Sequence, residues 1–141
     1  MCPTNPTIRP AVTNDAAAIN AVSKHLGYSE LSDAEEKLHQ LVLSKTDEIY
    51  VAESSGRLVG WLHLFYARRL ASDDFYEIGG LVVDPSYRKV GVGSALINYV
   101  ENKHKGKLRV RCNESRLDAH KFYVACGFAE TKVQLIFEKT T

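Results

Sequence analysis

The stretch Leu81-Val82-Val83-Asp84-Pro85-Ser86-Tyr87-Arg88-Lys89-Val90-Gly91-Val92-Gly93-Ser94 constrains the fold more than any other. An apolar, β-branched run stops at Asp84-Pro85, because proline fixes φ and has no N–H for a ladder. A short basic loop follows, and two glycines lead directly into a helix. Glycine lets a backbone approach a ligand closely. A helix start presents N–H groups without intrahelical partners and a partial positive charge. Arg88 and Lys89 add two full charges. The expectation is a phosphate or pyrophosphate cradle built on Arg88, Lys89, Val90, Gly91, Val92, Gly93 and Ser94. A Walker loop would end in Gly-Lys-Ser/Thr, whereas this loop ends in Gly93-Ser94-Ala95. A dinucleotide fingerprint would need a third glycine where Leu96 stands. A plain helix N-terminus behind a glycine turn is the alternative.

Short strands and helices alternate on both sides of this loop. Thr7 to Ala11 reads as a strand. Thr13 or Asn14 is placed to cap a helix with Ile19, Val22 and Leu26 on one face. Gly27-Tyr28-Ser29 is a break. Ser32-Asp33-Ala34-Glu35 has the form of a capping box opening a helix with Leu38, Leu41 and Val42. Glu48 to Glu53 and Arg57 to Ala67 pair as a hairpin across Ser54-Ser55-Gly56. Phe75 to Val83 is the next strand. Its paired glycines, Gly79-Gly80, suggest a bulge or a close backbone approach. A helix over Val90 to Lys103, a strand over Leu108 to Cys112 and a helix over Arg116 to Cys126 follow. Gly127 caps that helix, and Phe128 to Glu138 alternates as a last strand. The order β-α-α-β-β-β-α-β-α-β is a mixed α/β (α+β) sheet with helices on its faces, in one domain over residues 1–141.

Composition excludes several classes. The net charge of +1 creates no field toward DNA or an anionic membrane, so neither nucleic acid nor membrane is expected as a partner. The cysteines Cys2, Cys112 and Cys126 are odd in number and lack C-x-x-C spacing, which speaks against a disulfide framework and a zinc site. The five histidines include no H-x-x-x-H pair, so no metal is expected. Without a basic-then-apolar leader or an apolar run of about 20 residues, the expected setting is cytoplasmic.

Arg88-x-x-Gly91-x-Gly93 after Val82-Val83-Asp84-Pro85 resembles motif A of the GCN5-related N-acetyltransferases (GNAT family), Gln/Arg-x-x-Gly-x-Gly/Ala after a strand. Ala119-His120-Lys121-Phe122-Tyr123-Val124-Ala125-Cys126-Gly127-Phe128 resembles the family's motif B. The gap between the motifs suits one helix and one strand. The resemblance implies a central, mostly antiparallel, splayed sheet of six to seven strands flanked by about four helices. It implies that the pantetheine arm of acetyl-CoA lies where the fourth and fifth strands part, paired with the backbone near Leu81, Val82 and Val83. The pyrophosphate would sit on Arg88 to Ser94. Asn113 is placed to hydrogen-bond the arm, with a turn residue or a helix-cap neighbour as the alternative.

The implied reaction is direct attack of a primary amine, on a small molecule or peptide, upon the acetyl thioester. A backbone N–H near Leu81 or Val82 would bind the oxyanion. Tyr123 occupies the motif B tyrosine whose hydroxyl commonly lies near the sulfur, which makes it the candidate to protonate the leaving thiolate, and buried core filling is the other reading. Glu77 is the best carboxylate for a base, with a substrate-orienting or surface role as the alternative. Asp73 and Asp74 could attract a cation or remain solvated loop charges. Arg109 and Arg111 share one face of the fifth strand, where a solvated edge is the commoner explanation. A non-catalytic acyl-CoA-binding sensor on the same fold stands as the second class. The last strand could pair across a two-fold axis, so a homodimer is open.

Overall fold

Residues 5–28 and 32–141 are described by the structure, a computed structural model. Cys2 and Ser29 of the expected break lie outside the described residues. By chain contacts the molecule divides into two units, Met1–Val110 and Arg111–Thr141.

In the first unit, strands form where the period-two pattern predicts them. They are β1 (Thr7–Pro10), β2 (Asp47–Ser54), β3 (Arg57–Ala67), β4 (Phe75–Val83) and β5 (Leu108–Val110). The sheet order is β1-β2-β3-β4-β5. The first four strands are antiparallel neighbours, and β4 pairs β5 in parallel. Helices α1 (Ala16–Ser23), α2 (Ala34–Leu43) and α3 (Val92–Lys103) flank it.

Side-chain alternation divides the sheet into two apolar faces. Ile49, Val51 and Val82 pack with Val22 of α1 and Leu38 of α2, and Trp61 lies against the same cluster. The opposite face meets α3. A Cβ on Gly60 would lie 3.2 Å from Val92 and 3.5 Å from Leu96. Tyr50 meets Tyr99 with ring centroids 5.0 Å apart. Each face thus sheds its own apolar surface from water, at about 25 cal/mol per Å².

Several element ends shift, among them the start of α3, at Val92 rather than Val90, and the end of α1, at Ser23 before Leu26. The helix α2 starts from Asp33 rather than Ser32: Asp33 is the N-cap, and its carbonyl accepts the first helical bond from the Lys37 N–H at 3.0 Å. The Asp33 side chain makes no cap hydrogen bond. The fifth strand ends at Val110 instead of Cys112.

The second unit contains α4 (Leu117–Ala125), one residue shorter at each end than expected. Gly127 has φ of 97°, and the Phe128 N–H reaches the Tyr123 carbonyl at 3.0 Å, so the glycine closes the helix as the sequence suggests. The expected last strand is the clear departure. Residues 129–141 carry no ladder, and Val133, Leu135, Ile136 and Phe137 are exposed. Alternation makes a strand only where an edge accepts it. Among the described residues the sheet therefore has five strands rather than six or seven, within the expected mixed α/β architecture.

Candidate active site at the β4 bulge

The β3–β4 ladder slips once. His63 pairs Gly80 and Leu64 pairs Ile78, leaving Gly79 as the extra residue of a bulge. The glycine pair suggested this from sequence, and the reason is steric. A Cβ on Gly80 would lie 2.8 Å from Cζ3 and 2.9 Å from Cη2 of Trp61. One on Gly79 would lie 3.0 Å from the Phe65 ring and 3.3 Å from Nδ1 of His63. A side chain at either glycine would push against these three rings.

The same strand outruns β5. Their parallel ladder covers Tyr76–Leu108, Glu77–Arg109 and Ile78–Val110, then ends. From Gly79 to Val83, β4 continues with no β5 residue beside it. The ladder stops where β5 itself ends, at Val110. Leu81, Val82 and Val83 lie on this stretch, with Val82 buried and the other two partly so.

Beyond Val83 the chain is pinned. Asp84 is 2% exposed. Its carboxylate accepts from the Ser86 N–H at 2.9 Å and from Nη2 of Arg57 at 3.1 Å. Its own N–H donates to the Val59 carbonyl at 2.8 Å. The aspartate that reads as a strand stop in the sequence thus also fixes where the loop begins. Arg88, Lys89, Val90 and Gly91 are exposed. Lys89 and Gly91 turn the chain with φ of 65° and 90°, and no atom lies within 4 Å of a Cβ built on Gly91. Val92 and Gly93 are buried in the first turn of α3, followed by half-buried Ser94. An open glycine surface, two exposed cations and a helix start therefore coincide, as an anionic diphosphate requires.

A cavity of about 390 Å³ lies over the bulge, between α1, α2 and the sheet. Ile19, Leu38, Leu41, Ile49 and Trp61 supply its apolar walls, and His63, Gly79 and Gly80 form its floor. Trp61 is held by donating from Nε1 to Oγ of Ser23 at 3.0 Å. Nε2 of His63 lies 2.8 Å from Oδ1 of Asp47. Burial opposes the charge on Asp47, but hydrogen bonds from His63 and Ser44 outweigh it and hold the carboxyl below its usual range. Sequence reading missed this pair. His63 and Asp47 are distant in the chain, and Asp47 precedes the expected start of β2.

Glu77 is buried opposite Phe65, on the face that carries His63. Its carboxylate accepts from Nε of Arg109 at 2.6 Å. Arg109 is therefore not the solvated edge cation that alternation suggested: it pairs with Glu77 and lies over the Phe75 ring at 4.0 Å. Asp74 accepts from the Arg69 N–H at 2.8 Å, which ties it to its own loop.

In the second unit, Oδ1 of Asn113 accepts from the N–H of Ser115 at 2.9 Å and its hydroxyl at 2.7 Å. Asn113 thus builds a turn ahead of α4. Tyr123 is half-buried, with Phe122 and Phe128 edge-on at centroid distances of 5.2 and 5.7 Å. Cys112 and Cys126 are half-buried thiols. Among the described residues, no cluster of three or more His, Cys, Asp or Glu could hold a metal ion. Nor is any helix among them long and apolar enough to cross a membrane.

Comparisons with known proteins bear on the fold and the family. Solved structures share the fold at low identity. An aminoglycoside N-acetyltransferase, AAC(6')-Iy, in complex with a bisubstrate analogue, CoA-S-monomethyl-acetylneamine, superposes with a TM-score of 0.86 at 20% identity, covering 98% of this chain and 100% of that one. The apo aminoglycoside 6'-N-acetyltransferase AAC(6')-IG from Acinetobacter haemolyticus gives 0.83 at 20% identity, over 96% and 99%. A transcriptional regulator from Bacillus halodurans gives 0.81 at 21% identity, over 95% and 99%. A comparison with curated protein sequences finds no match. The sequence profile of the acetyltransferase (GNAT) family matches residues 14–128, a span that runs from the turn before α1 through the bulge, the loop and Tyr123. The chain belongs to the acetyltransferase (GNAT) family.

Proposed function

We propose that residues 1–141 act as one cytoplasmic acetyltransferase domain that moves the acetyl group of acetyl-CoA to a primary amine by direct attack. The observation that carries this reading is that β4 runs on beyond Ile78, where its ladder with β5 ends, into the basic glycine loop and the start of α3. The residues fit such a cosubstrate. Backbone groups of Leu81, Val82 and Val83 pair with the pantetheine amides like an added strand. Arg88, Lys89 and the backbone from Val90 through Gly91, Val92, Gly93 and Ser94 take the diphosphate. The amide nitrogen of Asn113 donates to the arm while its oxygen holds the turn.

Acetyl-CoA brings an activated acyl carbon, and this chain's residues do the rest. A backbone N–H at the bulge, near Leu81 or Val82, stabilises the oxyanion, an effect typically worth ~3–4 kcal/mol. The phenol of Tyr123 donates a proton to the departing sulfur. Glu77, paired with Arg109 on the face of β4 that carries His63, orients the incoming amine. The acceptor is an amine of a small molecule or peptide. The aminoglycoside acetyltransferases that share the fold favour a small molecule. The exposed apolar run from Val133 to Phe137 supports a homodimer in which a second copy covers it.

The regulator that shares the fold supports a second reading, an acyl-CoA-binding sensor. One experiment separates the two. The chain is titrated with acetyl-CoA in a calorimeter, then incubated with acetyl-CoA, a panel of amines and a thiol reagent. Amine-dependent thiol release supports the transferase. Binding without release supports the sensor, and absence of both overturns the two together.

A further inference from the structure

We propose that the cavity over the bulge takes a primary amine carried on an apolar body, and that His63, oriented by Asp47, removes the ammonium proton. This rests on the acetyltransferase reading and adds to it both an acceptor class and a base. Five apolar side chains wall the cavity, including the broad face of Trp61. Such walls favour an alkyl or aryl body, because a polyhydroxylated polycation would lose its water there without equivalent partners. His63 lies at the floor, where the bulge brings Gly79 to the surface, while Asn20, Ser23, Tyr28 and Lys37 are the polar residues of the walls.

The chemistry of His63 follows from its partner. A carboxylate only accepts, so Nε2 carries the hydrogen that points to Oδ1 of Asp47 at 2.8 Å. In the neutral ring Nδ1 is then the acceptor. Nδ1 lies 3.3 Å from the point where a Gly79 side chain would begin. The missing side chain is therefore what leaves room for an amine beside the base. Oδ2 of Asp47 accepts from the Ser44 hydroxyl at 2.8 Å, so the aspartate is itself held in place. Asp47 is a positioning residue. Lys37 of α2 and Tyr28 after α1 are the other titratable groups lining the cavity, and Lys37 adds positive charge that discourages a second cationic centre on the ligand.

Nδ1 of His63 takes one proton from the ammonium and passes it to solvent. The neutral nitrogen forms a bond to the acyl carbon. The C–S bond breaks, the thiolate gains a proton through Tyr123, and the nitrogen gives up its second proton in return. The products are an amide and a free thiol.

The test uses the full chain with phenylalkyl and alkyl monoamines, and an aminoglycoside for contrast. The monoamines should show the higher kcat/KM. His63→Gln keeps a donor toward Asp47 but has no basic nitrogen. It should lower kcat/KM at neutral pH by about 10²–10⁴-fold, abolish the acidic limb of the rate profile and leave acetyl-CoA binding unchanged. Added imidazole should restore part of the rate. Asp47→Asn should shift that limb while keeping it, as expected for a group acting through His63. Glu77→Gln should retain the limb. A readout without turnover is calorimetry of a phenylalkylamine into the wild-type chain in two buffers of different ionisation enthalpy. Proton release that disappears in His63→Gln is expected. A wild-type limb in His63→Gln, its loss in Glu77→Gln, or preference for the aminoglycoside would overturn the proposal. Failure to transfer to any amine, in a chain that binds acetyl-CoA, would instead overturn the transferase reading beneath it.

Discussion

Gly80→Ala tests the geometry of the bulge directly. The new methyl would start 2.8 Å from Cζ3 and 2.9 Å from Cη2 of Trp61. Ordinary contact begins near 3.4 Å, so the ring must retreat by at least 0.6 Å, the difference between 3.4 and 2.8. Trp61 is not loose, because its Nε1 donates to Ser23 at 3.0 Å and its ring packs against the α1/α2 core. Overpacking of this kind typically costs ~1–3 kcal/mol. The lower entropy of alanine in the unfolded chain returns about 0.4–1 kcal/mol. The net loss should be about 1–2 kcal/mol. Unfolding entropy near 2.1 cal/mol/K per residue gives about 0.3 kcal/mol/K for 141 residues, so Tm should fall by roughly 3–7 °C. Thermal melts by circular dichroism would measure this. In a Trp61→Leu background the penalty should largely vanish, because the clashing atoms are gone. A Gly80→Ala chain that melts at or above wild type, or an undiminished penalty without Trp61, would refute the steric account of the glycine pair.

Three further outcomes are expected. Gly91→Asp places a side chain at φ of 90° and a negative charge where the diphosphate should sit, so acetyl-CoA affinity by calorimetry should drop in a protein that still folds. Tyr123→Phe should lower turnover by about 10²–10⁴-fold where the chemical step limits, with acetyl-CoA affinity much less affected. Turnover and Tm on one preparation distinguish this from a packing role. Hydrogen bonds from Arg9 hold the Asp15 carboxyl below its usual range against the opposing effect of burial, and the Val12 N–H assists. Its folded pKa is depressed, so the stability it contributes is complete above about pH 4 and is lost as pH falls through the folded value. Asp15→Asn should therefore destabilise by about 1–2 kcal/mol at neutral pH and flatten the acid limb of a Tm-versus-pH curve.

Most of the fold could be read locally. The bounds of β3 and β4 follow from period-two alternation and from turn residues at Ser54-Ser55-Gly56 and Asp84-Pro85. The bulge follows from paired glycines in a strand. The residues around the loop are legible because helix start, basic pair and glycines are contiguous. The acceptor cavity is not, because α1, α2, β2, β3 and β4 each contribute to it or to the groups behind it. His63 reads in the sequence as one polar residue in an alternating strand. It becomes a candidate base only when the diagonal neighbour across the β2–β3 ladder proves to be Asp47. Arg109 likewise looks solvated until the parallel register sets it beside Glu77. The segment from Phe128 to Glu138 has the strongest alternation outside the sheet, yet forms no ladder among the described residues. Pattern specifies which side of a strand would be buried; it does not supply the neighbouring edge.

The most direct measurement of the central claim follows the acetyl group itself. The chain is incubated with acetyl-CoA carrying an isotopic label in the acetyl group and with an acceptor amine, and both product and protein are analysed by mass spectrometry. Direct attack predicts the label on the amine nitrogen, one thiol released per product, and an unchanged protein mass at every time point. Label that appears first on the protein, at Cys112 or Cys126 for example, or thiol release without labelled amide, would contradict it.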